Sequence, residues 1–181
     1  IGGVTEYSYD ILQNRSGLSR PDGRNISYSY DSKHRRTGIN LENGDKVSFS
    51  YDSFNNLTQV VDNDSELQLN YSLLGRLTEM KYGDTGNSNI VDPPVSLLYS
   101  YDLDGNLTSF TDPNGKQTNL LYDDRPAVKE ISNDDVTHTI TLDPAGRLTN
   151  IKSEIIGGES STMSRTYTDT DQLLSYINSV N

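Results

Sequence analysis

The stretch that decides the fold is Tyr99-Ser100-Tyr101-Asp102-Leu103-Asp104-Gly105-Asn106-Leu107-Thr108. Its two tyrosines are separated by one residue, and side chains alternate along a strand, so both rings lie on one face of a β-strand. The following Asp-x-x-Gly predicts a tight turn, because Asp hydrogen-bonds its own backbone and Gly tolerates a positive φ. Leu107-Thr108 begins a returning strand. The stretch therefore predicts one β-hairpin.

The same hairpin recurs along the chain. With Tyr101 as the anchor position, the anchors are Tyr9, Tyr30, Tyr51, Tyr71, Tyr101, Tyr122, Leu142 and, more weakly, Tyr167. Five of the seven intervals between anchors are 20 or 21 residues, and such a fixed period indicates a repeat protein. The residue two before the anchor is often aromatic, at Tyr7, Tyr28, Phe49 and Tyr99, and the turn position carries glycine at Gly75, Gly105 and Gly146. We predict that all these residues are structural anchors of the repeat.

The predicted fold is all-β, with antiparallel β-hairpin repeats forming a long sheet strip that curls or spirals. A second turn signal, such as Asn43-Gly44, lies about halfway between anchors, so each repeat contains two strands. Eight repeats then give about sixteen strands, and an open sheet of that size must twist or curl. We expect one array over residues 1–181, with loop insertions at 83–94 and 157–162 lengthening two intervals.

Composition excludes several classes of function. The net charge of −11 and the isoelectric point near 4.4 disfavour nucleic-acid binding, because phosphates would be repelled. The apolar runs are too short for membrane insertion. The chain has no cysteine and two histidines, so we expect no disulfide, no bound metal and no cofactor. The chain begins with Ile1, and we expect it to be a piece of a longer polypeptide.

The sequence offers four kinds of candidate site. The pairs of acidic residues, such as Asp62 and Asp64, lack the spacing of a calcium loop and fit turns better. His34 occupies a turn, and His138 lies in an alternating strand that we expect to expose it. No Gly-x-Ser-x-Gly motif nominates a nucleophile, so we expect no enzymatic activity. Rows of tyrosine beside Asp and Asn also suit sugar stacking, but packing within the repeat explains them better, because the repeat distributes the rings along the chain instead of gathering them in one cleft.

The repeat resembles the tyrosine–aspartate repeat of the RHS-repeat family. The resemblance is carried by Tyr28-Ser29-Tyr30-Asp31, by Phe49-Ser50-Tyr51-Asp52 and by Gly146-Arg147-Leu148-Thr149, as well as by the opening stretch. Two departures are Ser72 in place of the aspartate and Pro126 in place of the turn glycine. The resemblance implies a β-sheet strip that forms part of a hollow shell. In bacterial toxin systems such a shell encloses a toxic polypeptide, and a related shell occurs in animal adhesion receptors.

The sequence thus predicts a non-catalytic wall segment, secreted or on the surface of a bacterial cell. Its expected partners are the rest of its parent polypeptide and an enclosed toxin cargo. The alternative is a cell-surface module that binds carbohydrate or a receptor through exposed rows of tyrosine. Buried rings would favour the wall, whereas several exposed rings around one pocket would favour sugar binding.

Overall fold

The computed structural model describes residues 3–85 and 94–180. These residues form strands and turns, and none of them belongs to a helix able to cross a membrane. The chain consists of two compact units, Ile1–Ser96 and Leu97–Asn181.

The first unit is a meander of short strands, each antiparallel to the next one in the chain. The strands are β1 (Glu6–Tyr9), β2 (Arg15–Ser19), β3 (Asn25–Tyr30), β4 (Arg36–Leu41), β5 (Lys46–Tyr51), β6 (Leu57–Val61), β7 (Ser65–Tyr71) and β8 (Leu77–Asp84). The strands β1, β3, β5 and β7 each end at a predicted anchor tyrosine.

The second unit repeats this arrangement with antiparallel neighbours throughout. Its strands are β9 (Val95–Tyr101), which contains the boundary between the units, β10 (Leu107–Thr111), β11 (Gln117–Tyr122), β12 (Val128–Ser132), β13 (Val136–Leu142), β14 (Leu148–Ile155), β15 (Ser160–Tyr167) and β16 (Leu173–Val180). The prediction of an all-β fold made of antiparallel hairpin repeats is confirmed.

Each unit has two chemically different faces. On β5, Phe49 and Tyr51 are half-buried, whereas Ser48 and Ser50 are exposed, as the two-residue period of a strand requires. We call the face that carries Phe49 and Tyr51 the tyrosine face, and the face that carries Ser48 and Ser50 the hydroxyl face. Directly paired residues share a face, so the register within each unit tells which side chains of a strand lie on the tyrosine face and which lie on the hydroxyl face.

The histidine of β13 differs from its prediction. His138 pairs with Ile131, which in turn pairs with Leu120, so the ring lies on the tyrosine face and is half-buried. Its Nδ1 lies 2.8 Å from the Oγ of Ser153. The alternating pattern correctly indicated a strand, but the pattern alone did not say which of the two sets of side chains faces the rings.

No apolar side chain is fully buried within the described part of the chain. The most enclosed residue there is Ser109, with 9% of its surface exposed. A single-layer sheet covers a side chain only with its neighbours on the same face, so contacts between adjacent strands must supply most of the stability.

The predicted loop insertions fall differently in the structure. Most of the insertion at 83–94 lies outside the described residues, although Gly83 and Asp84 complete β8. The insertion at 157–162 is corrected to a turn at 156–159, and Ser160 already begins β15. The long interval therefore comes from strands of eight residues, because Ser160–Thr162 pair with 152–154 instead of forming a loop.

Candidate functional site: the joint between hairpins

An aspartate that follows the anchor closes the hairpin turn in six of the eight repeats. In the third repeat the backbone N–H of Asp52 donates to the carbonyl of Asn56 at 3.0 Å, and that of Asn55 donates to the carbonyl of Asp52 at 3.3 Å. The carboxylate Oδ1 accepts from the backbone N–H groups of Phe54 and Asn56, both at 2.9 Å. Its Oδ2 accepts from the side-chain amide of Asn56 at 2.9 Å. One carboxylate thus organises the whole turn.

The same cap recurs along the chain. In every case Oδ1 accepts from the backbone N–H four residues later, in Asp10, Asp31, Asp102, Asp123 and Asp143. Ser72 and Thr168 replace the carboxylate with a hydroxyl that accepts from the equivalent N–H at 3.2 and 3.1 Å. Because these hydroxyls are neutral and their bonds longer, those two caps are weaker.

The caps favour the ionised carboxylate. The side-chain amide of Asn56 is the largest cause that lowers the pKa of Asp52 below its ordinary value. Desolvation, the next largest effect, opposes it, and the backbone N–H groups of Asn56 and Phe54 lower the pKa further. The pKa of Asp143 is lowered first by the backbone N–H of Arg147. Hydrogen bonds that serve only the charged form cause both shifts.

The fourth residue after every anchor has a positive φ. Gly75, Gly105 and Gly146 have φ of 75°, 101° and 84°, and the non-glycine residues at this position are Gln13, His34, Asn55, Pro126 and Asp171. The predicted turn glycines therefore occupy a backbone conformation that favours glycine. Proline is the least suitable residue there, since its ring holds φ near −65°, whereas Pro126 has a φ of 25°.

A β-bulge lies beside each anchor. In the second repeat Tyr30 pairs with Arg36 and Ser29 pairs with Gly38, which leaves Thr37 as an extra residue. The bulge bends the returning strand away from the next one. As a result, the pairing of β4 with β5 ends at Gly38 and Ser48.

Tyrosine hydroxyls bridge the gaps that the bulges leave. Each hydroxyl donates to the backbone carbonyl of the residue six positions after the preceding anchor, at 2.8–3.0 Å. The four bonds are Tyr30 to Arg15, Tyr51 to Arg36, Tyr122 to Leu107 and Tyr167 to Leu148. The anchor of one hairpin thereby holds the bulge of the previous hairpin.

An arginine adds a second link where the repeat places one five residues after the anchor. Arg35 Nε donates to Asp31 Oδ2 at 2.7 Å, and its Nη1 donates to the carbonyl of Asp52 in the next turn at 3.0 Å. The same guanidinium lies 4.6 Å from the ring centroid of Tyr51. Arg147 makes the same three contacts with Asp143, Thr168 and Tyr167. We call the contact between the returning strand of one hairpin and the first strand of the next hairpin the joint, including its bulge and, where they occur, the tyrosine hydroxyl bond and this arginine.

The predicted aromatic anchor residues fall into three groups. The anchors Tyr30, Tyr51 and Tyr122 take part in joints. Tyr7 and Tyr9 lie on the edge strand β1 and are 55% and 59% exposed. The remaining aromatic anchors, which are Tyr28, Phe49, Tyr71, Tyr99 and Tyr101, are half-buried on the tyrosine face.

The acidic pairs and the turn histidine serve the turns. Asp62 Oδ1 accepts from the backbone N–H groups of Asp64 at 3.0 Å and Ser65 at 2.6 Å, as a turn-forming carboxylate does. His34 Nδ1 lies 2.9 Å from Asn14 Oδ1 in the neighbouring turn. In the part of the chain that the structure describes, no three acidic or histidine side chains are grouped to hold a metal ion.

Sequence reasoning missed the tyrosine hydroxyl bonds and the arginine links. The signal was available, because three of the four tyrosine–carbonyl pairs are separated by 15 residues. The fourth is separated by 19 because its strands are longer. The separation could not be interpreted without the register and the bulge.

Comparisons with known proteins agree with this geometry. The RHS repeat model matches residues 30–67 and 101–154, just over half of the chain. A crystal structure of TcdB2-TccC3-Cdc42 matches 91% of the chain with a TM-score of 0.71 at 16% identity. A structure of the Photorhabdus luminescens Tc holotoxin pore matches 96% at 13% identity with a TM-score of 0.44. The chain spans 10% and 12% of these two chains. A search of curated proteins gives no match.

Proposed function

Since this chain belongs to the RHS-repeat family, we propose that it is a non-catalytic segment of a β-sheet shell wall that encloses or presents a polypeptide such as a toxin. The shell is larger than this chain, which corresponds to about a tenth of the first matched structure. Its other walls are supplied by the rest of the parent polypeptide. The predicted anchors hold this segment together and take part in no reaction.

The observation that carries the proposal is the repeated joint. Four tyrosine hydroxyls, two in each unit, make the same bond between successive hairpins. A wall is stabilised by bonds that recur between successive hairpins, because a single layer gains little from a buried core. Catalysis instead needs one cleft in which perturbed groups converge. The lowered pKa values of Asp10, Asp52, Asp102 and Asp143 belong to separate turn caps. Those of Glu66 on β7 and Glu79 on β8 come from side chains that donate hydrogen bonds to them.

We further propose a bacterial, secreted setting with a toxin as the enclosed cargo. The support is that the chain belongs to the RHS-repeat family, whose shells enclose toxic polypeptides in bacterial toxin systems, and that its fold matches part of TcdB2-TccC3-Cdc42 with a TM-score of 0.71. A net charge of −11 keeps such a wall soluble and opposes binding to anionic surfaces.

Carbohydrate binding is the second candidate and has less support. Stacking of sugars needs exposed aromatic faces grouped together. The largely exposed tyrosines of the described residues are Tyr7, Tyr9, Tyr82 and Tyr176. Tyr7 and Tyr9 lie on β1 and Tyr176 lies on β16. Glycan-array binding that is lost in Tyr101→Ala, with the circular dichroism spectrum retained, would establish this alternative.

Limited proteolysis of the full-length polypeptide tests the wall. We expect the regions that the shell encloses to resist protease in the natural protein. Replacing one cap in each unit, Asp52→Ala with Asp143→Ala, should open the wall and expose those regions. Asp64→Ala, at an aspartate whose carboxylate caps no turn, is the matched control. Equal cleavage of those regions in all three proteins, each with a folded repeat segment, would contradict the proposal.

A further inference from the structure

The two faces of the sheet carry different charges in each unit. The glutamates of the described strands all lie on the hydroxyl face, and these residues are Glu6, Glu66, Glu79, Glu130 and Glu154. The arginines of the described strands lie on the tyrosine face, where each pairs directly with a tyrosine, and these residues are Arg15, Arg36 and Arg165. Among the described strand residues, only Asp84, at the end of β8, adds a carboxylate to that face. The strands therefore make the tyrosine face of each unit positive, although the whole chain has a net charge of −11.

Two of these arginines contact the same ring in the first unit. Tyr28 lies on β3, and the Cζ atoms of Arg15 on β2 and Arg36 on β4 are 4.9 and 4.8 Å from its ring centroid. All three strands have a neighbour from this chain on both sides, so the arrangement does not depend on an end strand. The ring attracts both guanidinium groups but cancels neither charge. We call these three residues the arginine–tyrosine patch.

The arginines of this patch lack a carboxylate partner among the described residues. Arg35 and Arg147, in contrast, pair with cap aspartates at 2.7 and 2.6 Å. No ion pair joins Arg15 or Arg36 to any residue that the structure describes. The Nε of Arg36 is also buried without a hydrogen-bond partner in that part of the chain, and buried polar atoms rarely lack one. The patch thus presents two uncompensated positive charges beside an aromatic ring.

The chemistry around the patch restricts what it can bind. Ile39 pairs with Tyr28, and Ile26 lies two residues before Tyr28, so both add apolar surface to the same face. Guanidinium groups bind carboxylates through paired, charge-assisted hydrogen bonds. Exposed charges more than about 8 Å away are largely screened at physiological ionic strength, so the negative net charge of the chain opposes an anionic ligand only weakly. A complementary ligand therefore carries carboxylates between apolar side chains, as an acidic segment of polypeptide does.

We propose that the arginine–tyrosine patch binds an acidic segment of the polypeptide that the shell encloses, and that the tyrosine face is the inner face of this wall. The inference rests on the proposed function, because it needs an enclosed polypeptide. The hydroxyl face then lies outside. It carries the strand glutamates together with Lys46, Lys81 and Lys152, and such mixed charges keep an outer surface soluble.

Cysteine accessibility tests which face is inward. The natural 181 residues contain no cysteine, so Ile39→Cys marks the tyrosine face and Asn40→Cys marks the hydroxyl face, at adjacent half-buried positions of β4. The full-length polypeptide, with any cysteines elsewhere replaced by serine, is treated with a maleimide whose polyethylene glycol chain is too large to enter the shell. Only Asn40→Cys should react in the folded protein, and both variants should react after unfolding in urea. If Asn40→Cys is protected in the folded protein, the inference is overturned while the proposed function stands, whereas equal modification of both variants would refute a closed wall.

Peptide binding tests the patch itself. The probes are a fluorescein-labelled peptide with two glutamates between leucines and a counterpart with glutamines in their place. Fluorescence anisotropy should show that the 181-residue chain binds the glutamate peptide at least about tenfold more tightly than the glutamine peptide. Arg36→Gln and Arg15→Gln should each weaken binding of the glutamate peptide about tenfold, because each removes charge-assisted hydrogen bonds to a carboxylate.

Arg24→Gln is the matched control. It removes one positive charge from the same unit at a turn, where Arg24 pairs with Asp22 at 2.8 Å, and it should leave binding unchanged. Circular dichroism checks that each variant is folded. Equal binding of the two peptides, or equal losses in Arg24→Gln and Arg36→Gln, would contradict the carboxylate site. Neither result would bear on the wall, which proteolysis of the full-length polypeptide tests separately.

Discussion

Tyr51→Phe isolates the tyrosine hydroxyl bond of a joint. The substitution removes the hydroxyl that donates to the Arg36 carbonyl at 2.9 Å. The ring stays beneath the guanidinium of Arg35, whose Cζ lies 4.6 Å from the ring centroid. We expect the free energy of unfolding to fall by about 1 kcal/mol, the net value of one such bond, since the half-buried carbonyl loses its partner. For a chain of this size the midpoint of thermal unfolding should fall by about 3 °C.

Urea unfolding followed by far-ultraviolet circular dichroism measures this change as a shift in midpoint at an unchanged slope. Tyr28→Phe is the matched control. The Tyr28 ring lies 4.9 Å from the guanidinium of Arg15 and 4.8 Å from that of Arg36. Its hydroxyl has no hydrogen bond within the described residues, so the change should stay within about 0.5 kcal/mol. If the two variants lose equal stability, the hydroxyl does not hold the joint.

Two further perturbations test the turns. The folded pKa of Asp52 is lowered, so its cap stabilises the protein fully above the unfolded pKa near 4 and is lost as pH falls through the folded pKa. Urea midpoints from about pH 7 to about pH 2 should therefore fall less steeply in Asp52→Asn than in the natural chain; parallel curves would refute the cap. Pro126→Gly should raise the free energy of unfolding by about 1 kcal/mol, because it relieves a proline held at positive φ. Gly146→Pro, at the equivalent turn, should lower the free energy of unfolding. Urea unfolding of both variants measures the two changes.

The hairpins could be predicted because their signals are local. Tyr99 and Tyr101 lie on one face for the simple reason that side chains alternate, and Asp102 closes its turn with hydrogen bonds to Gly105 and Asn106. Each of these interactions spans at most four residues. Because the pattern recurs at a nearly fixed interval, the prediction of one hairpin applied to the other repeats as well.

The joints could not be predicted because they depend on register. The bond from Tyr30 to Arg15 joins different repeats, and it exists only because a bulge separates the two strands there. A bulge shifts the pairing by one residue, and composition gives no measure of such a shift. The face of His138 and the start of β15 were misjudged for the same reason, since both follow from pairing across strands.

The joint between β12 and β13 shows what the common arrangement contributes. Leu142 is the anchor there and has no hydroxyl to donate to the equivalent carbonyl, that of Val128. Ala127 occupies the position that carries the linking arginine elsewhere, so Arg125 reaches the carbonyl of Asp143 instead, at 3.2 Å. Stability in a repeat array is a sum of nearest-neighbour terms. With the tyrosine bond missing and a substitute arginine in place of the usual one, this joint has fewer links than the joint between β14 and β15, where both Tyr167 and Arg147 take part, and its strands should separate more easily than those.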